Sequence, residues 1–187
     1  MKYLIVGIGN KGEEYAETRH NIGFKVAEKI AEKIEAPFKS SNFGLLAEGK
    51  YKGRKVFILK PDTYVNLSGN AVKFWMQKEN IPLENVLIIA DDLALPFGSL
   101  RMKMKGSHGG HNGLRNIEAV LNNNQYTRLR FGIAAEFKEG QQVDYVLGQW
   151  NETEKEILQE RIEKFSQAAL SFVFAGVQNT MTAFNGK

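Results

Sequence analysis

Three histidines and one acidic pair are the side chains of this 187-residue sequence best suited to acid–base chemistry near neutral pH. His20 lies in one glycine-rich connection, and His108 and His111 lie in a second. Asp91 and Asp92 directly follow an apolar run. An imidazole suits the role of general base because its ordinary pKa, about 6.5, is close to working pH. Such a base needs a carboxylate that orients it and stabilises its protonated form, and we predict that Asp91 does this for His20.

Three asparagines lie at boundaries between loops and regular elements, where a side-chain amide can reach a bound ligand. Asn10 follows the first apolar run, Asn66 precedes a helical pattern, and Asn112 ends the second histidine-containing loop. Amides can position a substrate and can stabilise a developing oxyanion. Each asparagine alone is at least as well explained as a turn or cap residue, so the prediction depends on the set.

The pattern G-x-G-x-x-G at residues 7–12 is the fingerprint of dinucleotide-binding folds. In those folds the helix begins inside the pattern, and an acidic residue ends the next strand about 20 residues later. Here the helical pattern begins only near Asn21, and Glu28 and Glu32 lie within it. We therefore interpret the glycines as residues of tight turns or of close backbone approach, and we expect no nicotinamide cofactor.

A metal site and a serine nucleophile are alternatives with less support. His108 and His111 could bind zinc together with Asp91 or His20, but a spacing of three residues in a glycine-rich loop does not fix ligand geometry. The sequence contains no G-x-S-x-G nucleophile elbow. It also contains no cysteine, which excludes disulfides and a cysteine nucleophile. A histidine that acts on water, without metal or cofactor, is the chemistry that we favour.

Charge is unevenly distributed along the chain, whose formal net charge is +4. Residues 93–135 contain one acidic and six basic residues. At residues 100–105 apolar residues alternate with Arg101, Lys103 and Lys105, which places the three cations on one face of a predicted strand. A one-sided basic face is typical of proteins that bind nucleic acid, although charge alone fits a solvated surface about equally well.

The predicted strands and helices would bring these residues to one edge of a sheet. Asn10 follows the strand pattern at residues 2–8, and Asp91 ends the one at residues 86–90. Ligands of open α/β sheets bind outside the carboxyl ends of strands, so both residues face one cleft if their strands are parallel neighbours. Further strands are predicted at residues 45–51, 55–59, 100–105 and 127–133, and helices after Asn21, Asn66 and Asn112, from Asn151 or Thr153 toward Phe174, and beyond Gly176.

This order of elements predicts an α/β fold with a mixed sheet surrounded by helices, in a single domain over residues 1–187. No apolar run approaches the roughly 20 residues needed to span a bilayer, and the N-terminus shows no signal-peptide pattern. We therefore expect a cytoplasmic protein that does not associate with membranes.

Five separated motifs resemble the bacterial peptidyl-tRNA hydrolases over essentially the whole chain: VGIGNKGEEYAETRHNIGF, KPDTYVNLSG, ADDLALPFG, GSHGGHNGL and RLRFGI. The resemblance implies a metal-independent monomer with a twisted, mostly parallel sheet, which cleaves the ester between a peptide and the 3′-terminal ribose of tRNA. The resemblance also implies that the protein needs no cofactor and no obligatory protein partner. By position, the resemblance implies that His20 is the base and Asp91 its partner. It implies that the contacts of the peptide and the 3′ CCA end are Asn10, Tyr15, Tyr64, Asn66 and Asn112. It also implies that Lys103 and Arg130 form a clamp for the 5′ phosphate.

The sequence departs from the family pattern at four positions near these motifs. Lys11 replaces the usual proline, Val65 a common methionine, Ala90 a frequent histidine and Ala94 a frequent acidic residue. None of these changes removes a proposed catalytic group, but they leave the peptide preference open. The rival hypothesis is an RNA-binding protein without catalysis, which would explain the basic face but would leave His20 and Asp91 without a shared role.

Overall fold

The apolar runs of the sequence form the centre of one seven-stranded sheet in the computed structural model, which describes residues 1–134 and 140–187. The strands are β1 (Lys2–Gly7), β2 (Phe38–Ser41), β3 (Gly44–Tyr51), β4 (Arg54–Pro61), β5 (Val86–Pro96), β6 (Leu100–Lys103) and β7 (Thr127–Ala134). Their order is β2-β3-β4-β1-β5-β7-β6. The four central strands, β4, β1, β5 and β7, are parallel, while β2, β3 and β6 add antiparallel pairs. The predicted α/β fold with a mixed, mostly parallel sheet is confirmed.

Helices cover both faces of this sheet. They are α1 (Ile22–Lys33), α2 (Ser68–Glu79), α3 (Asn112–Leu121), α4 (Gln142–Val146), α5 (Glu152–Ala175) and α6 (Val177–Phe184). Ile5 and Ile89 belong to a core shared with α1 and α5, whereas Val6 and Ile88 belong to a core shared with α2 and α3. Burial on both faces explains why the central strands are continuous apolar runs. None of the helices in the described part of the chain combines the length and apolar character of a membrane span.

Local sequence signals correctly located several elements. The hairpin of β3 and β4 turns at Lys52 and Gly53, whose φ angles are 47° and 83°. Of the two predicted caps of α5, Asn151 is the one used, because its side chain accepts from the backbone N–H of Glu154 while the Glu154 carboxylate accepts from the backbone N–H of Asn151. Gly176, with φ 88°, separates α5 from α6.

Two predicted boundaries were wrong. Asp91 and Asp92 do not end β5, because the strand continues to Pro96 and both residues pair with β7, opposite Phe131 and Gly132. The alternation of residues 100–105 was expected to form one strand, but β6 ends at Lys103. The helix α4 was not predicted at all.

Candidate active site

His20 and Asp91 meet beyond the carboxyl end of β1, beside its parallel neighbour β5. The register of β1 and β5 pairs Gly7 with Ile89, which places Asp91 two residues further along β5. The chain that leaves β1 forms a short 3-10 turn, Arg19–Asn21, directly before α1, and His20 lies in this turn. Its Nδ1 atom is 2.9 Å from Oδ1 and 2.8 Å from Oδ2 of Asp91.

A second imidazole contacts the same carboxylate. The Nε2 atom of His111 is 2.8 Å from Oδ1 of Asp91. His111 also caps α3, because its Nδ1 atom accepts from the backbone N–H groups of Gly113 and Leu114 at 3.1 and 3.3 Å. Since Nδ1 is an acceptor, the neutral ring carries its proton on Nε2 and donates it to Asp91. The sequence did not indicate this role for His111, because histidine is not among the preferred N-cap residues.

Asp91 is an ionised partner for both rings at neutral pH. Burial opposes ionisation of its carboxyl, but the attraction of His20 and His111 and the hydrogen bonds from both rings hold its pKa well below the ordinary value. Burial likewise favours neutral His20, yet the charge of Asp91 and the hydrogen bond to it raise the pKa of His20 above 6.5. Because Nδ1 of His20 donates to Asp91, Nε2 of the neutral ring is available as the basic atom.

His20, Asp91 and His111 form part of the wall of a cleft of about 380 Å³. This volume lies within the range of small-molecule sites. The cleft combines polar and apolar walls: Asn112, Arg130 and Asp92 contribute polar groups, and Leu93, Val143 and Val146 contribute apolar ones. An ester with both a polar and an apolar side can therefore be accommodated beside His20.

Asn10 is fixed by a reciprocal pair of amide hydrogen bonds. The Asn21 side chain accepts from the backbone N–H of Asn10 and donates to its carbonyl oxygen, both at 2.9 Å. The Oδ1 atom of Asn10 accepts from the backbone N–H of Val65 at 2.7 Å. Asn21 was predicted to cap α1, but although it occupies the N-cap position it makes no capping bond, because its amide is used by Asn10.

The other predicted substrate contacts do not all line the cleft that contains His20. Asn112 lines the cleft with His20, whereas Asn10 lines a separate cavity of about 580 Å³. Asn66 is exposed on the turn that Asn10 holds through Val65. Tyr15 and Tyr64 meet edge to face, with ring centroids 6.4 Å apart, and Tyr64 is 48% exposed.

The basic row lies on β6 and β7 at one edge of the sheet. Arg101 pairs with Arg130 and Lys103 with Arg128, so these cations share one face. Arg130 lines the cleft, and its Nη1 atom is 2.7 Å from Oδ2 of Asp92. Arg128 is buried and donates to the backbone carbonyls of residues 106, 124 and 126, which gives it a structural role. Lys105, expected in the same row, lies beyond the end of β6.

The metal site considered around His108 is not formed by the described residues. His108 instead accepts from the backbone N–H of Gly110 through its Nδ1 atom, at 3.0 Å. The potential ligand atoms of His20, Asp91 and His111 do lie within 4.8 Å of one another. Their nitrogen–oxygen distances of 2.8 to 2.9 Å are those of hydrogen bonds.

Comparisons with known proteins agree with this geometry. The sequence model of a family described as "Peptidyl-tRNA hydrolase" matches residues 4–187. Proteins named peptidyl-tRNA hydrolase from Bacteroides fragilis and Parabacteroides distasonis are 54% and 51% identical over 187 residues, and the match covers 100% of this chain and of each relative. The crystal structure of peptidyl-tRNA hydrolase from Acinetobacter baumannii matches with a TM-score of 0.92 and 34% identity, covering 99% of this chain and 96% of that one.

Proposed function

We propose, because this chain belongs to the peptidyl-tRNA hydrolase family, that it hydrolyses the ester between a peptide and the 3′-terminal ribose of tRNA. The products are free tRNA and an N-blocked peptide. The observation that supports this activity most directly is the contact of His20 with a buried, ionised Asp91 at the wall of a cleft.

His20 acts as the general base. Its Nε2 atom removes a proton from water, the water oxygen attacks the ester carbonyl, and Asp91 stabilises the imidazolium that forms. When the tetrahedral intermediate collapses, the imidazolium returns the proton to the 3′ oxygen of the ribose, so no covalent enzyme intermediate is needed. Such a base contributes a rate factor on the order of 10² to 10⁴.

The asparagines and tyrosines position the two halves of the substrate. Asn112 lies in the cleft with His20, where its amide can reach the carbonyl or the attacking water. Asn10 and Asn66 are connected through Val65 and contact the peptide and the 3′ CCA end. The exposed ring of Tyr64, which Tyr15 supports from its edge, provides a stacking surface for a base.

Lys103 and Arg130 bind the 5′ phosphate of the tRNA. This assignment is supported by their position on neighbouring strands, with side chains on one face of the sheet edge. Arg130 also borders the cleft, so one polyanion can reach both the clamp and the ester site. We further propose that the protein acts in the cytoplasm as a single-domain monomer, with no cofactor or obligatory protein partner.

The test is release of the labelled N-acetyl amino acid from N-acetyl-aminoacyl-tRNA by the wild-type protein and by His20→Ala. We expect the variant to lose a factor of roughly 10² to 10⁴ in kcat. A variant with the turnover of the wild type would refute the assignment of the base. Ester loss at the spontaneous rate by a wild-type protein that binds tRNA would favour the non-catalytic RNA-binding protein, and loss of activity on chelation that zinc restores would favour a metal hydrolase.

A further inference from the structure

Arg19, directly before His20, is bound on several sides by a distant part of the chain. Its Nη2 atom is 3.0 Å from Oε1 of Glu154, and the two side chains are only 10% and 7% exposed. Its Nη1 atom donates to the carbonyl oxygen of Tyr145 at 3.1 Å, and the guanidinium carbon lies 4.2 Å from the centre of that ring. Its backbone N–H donates to the carbonyl oxygen of Gly148 at 3.0 Å.

Glu154 is itself fixed. The oxygen that binds Arg19 also accepts from the backbone N–H of Asn151 at 2.8 Å, and the backbone N–H of Glu154 donates to the side chain of Asn151 at 2.8 Å. This capping box begins α5, a helix of 24 residues, so the carboxylate is attached to a rigid element. Arg19 is thereby connected to the body of the protein and not to a loop tip.

Neighbouring contacts reinforce the same connection. Thr18 forms an isolated antiparallel bridge with Gln149. The hydroxyl of Tyr145 donates to the carbonyl oxygen of Ile133 at the end of β7. A Cβ atom on Gly148 would lie 2.8 Å from Nη1 of Arg19, so no larger residue fits there without displacing the guanidinium. The contacts leave little freedom to the turn that carries His20.

We infer that Arg19 and Glu154 are positioning residues, which fix His20 against Asp91 by attaching its turn to the N-terminus of α5. This inference rests on the proposed function, since it assigns the pair to the reaction of His20. Replacement of Glu154 would leave the guanidinium of Arg19 buried without its charge partner, and the turn would shift as Arg19 seeks water. A shift of about 1 Å at a catalytic group can cost a factor on the order of 10² in rate.

The experiment compares Glu154→Gln and Arg19→Lys with Glu163→Gln, a matched control. Glu163 also lies on α5 and also pairs with a basic residue, Lys33, but its side chain is 37% exposed. For each variant we would measure kcat and KM with N-acetyl-aminoacyl-tRNA, the melting temperature, and the titration of the His20 ring by NMR. We expect kcat of Glu154→Gln to fall roughly 10- to 100-fold, with KM within about twofold of the wild-type value. The assay temperature is kept well below the melting temperature of the variant.

The NMR titration separates this inference from the proposed function. If His20 moves away from Asp91, the titration midpoint of the ring should fall in Glu154→Gln and stay unchanged in Glu163→Gln. A wild-type protein that does not hydrolyse the ester, combined with a shifted midpoint, would refute the function but retain the positioning role. Wild-type kcat and an unshifted midpoint in Glu154→Gln would refute the inference. If Glu154→Gln does not fold, the same two readouts on Arg19→Lys, which keeps the charge, decide the question.

Discussion

The Nδ1 atom of His20 lies 2.8 Å from Oδ2 of Asp91, although 71 positions separate the two residues in the chain. The parallel pairing of β1 with β5 brings them together. Asp91 is only 3% exposed, and its strand pairs with Phe131 of β7 at this position, so the carboxylate has little freedom to follow the ring. The orientation of His20 therefore depends on the turn that carries it and on the state of Asp91.

The first prediction concerns the acid limb of the pH profile. The neutral form of His20 is the base, and Asp91 raises the pKa of this ring above 6.5, so kcat/KM should fall as the pH drops through that raised value. In Asp91→Asn, burial lowers the pKa of His20 and no charge opposes it, so the acid limb of the pH profile should move to lower pH. Measurement of kcat/KM between pH 5 and 9 tests this shift, and an unmoved limb in Asp91→Asn would contradict it. We also expect kcat to fall in this variant, by at most the factor of roughly 10² to 10⁴ that the base itself contributes.

The second prediction separates the two roles of His111. In His111→Asn the shorter side chain can still cap α3 but no longer reaches Asp91, whereas His111→Ala loses both contacts. Both variants should lose kcat roughly 10- to 100-fold, since a hydrogen bond to a charged group contributes about 1.5–3 kcal/mol. Both variants lose the contact with Asp91, so His111→Ala, which also loses the cap, should be less stable than His111→Asn by about 1 kcal/mol in the free energy of unfolding, measured in urea. Equal stability of the two variants would show that the cap is unimportant.

The third prediction concerns the basic clamp. Lys103→Ala and Arg130→Ala should each raise KM for the tRNA substrate and reduce the slope of log KM against log salt concentration by about 0.7–0.9, the value for one lost phosphate contact. The control is Lys50→Ala, an exposed cation on β3, on the opposite side of the sheet from β6. If the control changes the slope as much as the clamp variants do, the protein binds tRNA through general charge and has no specific clamp.

The fourth prediction tests the support of Asn10. Asn21→Asp retains the acceptor for the backbone N–H of Asn10 but places a carboxylate oxygen opposite its carbonyl oxygen, where an amide N–H donates at 2.9 Å. We expect a loss of about 1–3 kcal/mol in the free energy of unfolding, together with a lower kcat. Asn70→Asp, an exposed amide in the first turn of α2, should be close to neutral in both measurements. An unchanged kcat in Asn21→Asp would show that Asn10 does not need this support.

The sequence predicted those elements whose signals are local. The continuous apolar run of β1, the Lys52-Gly53 turn and the Asn151 cap all depend on residues close together in the chain, and each was located correctly. The five-residue helix α4 is too short for its apolar residues to show a helical period, and it was missed. The fold class could therefore be predicted, but not every element that lines the cleft.

Site residues were predictable as chemical types but not as a network of contacts. The sequence indicated His20 and Asp91 as partners, and the structure places them in contact, while their roles in the reaction stay predictions. The second imidazole on Asp91, from His111, and the support of Arg19 by Glu154 depend on contacts across 20 and 135 positions. No local pattern encodes such contacts. Asn21 was predicted to cap a helix because asparagine is typical of that position, but its amide instead bonds the backbone of Asn10.

β1 lies between β4 and β5, and both of these neighbours come later in the chain. During synthesis the apolar residues of Lys2–Gly7 are therefore made long before either partner strand exists. Parallel strand pairs form slowly, because loop closure must be completed before the pair is stabilised, and an unpaired apolar strand is prone to aggregation. The segment made first thus gains its second neighbour only after β5 has been synthesised, and a nascent chain that ends before Val86 cannot pair β1 on both sides.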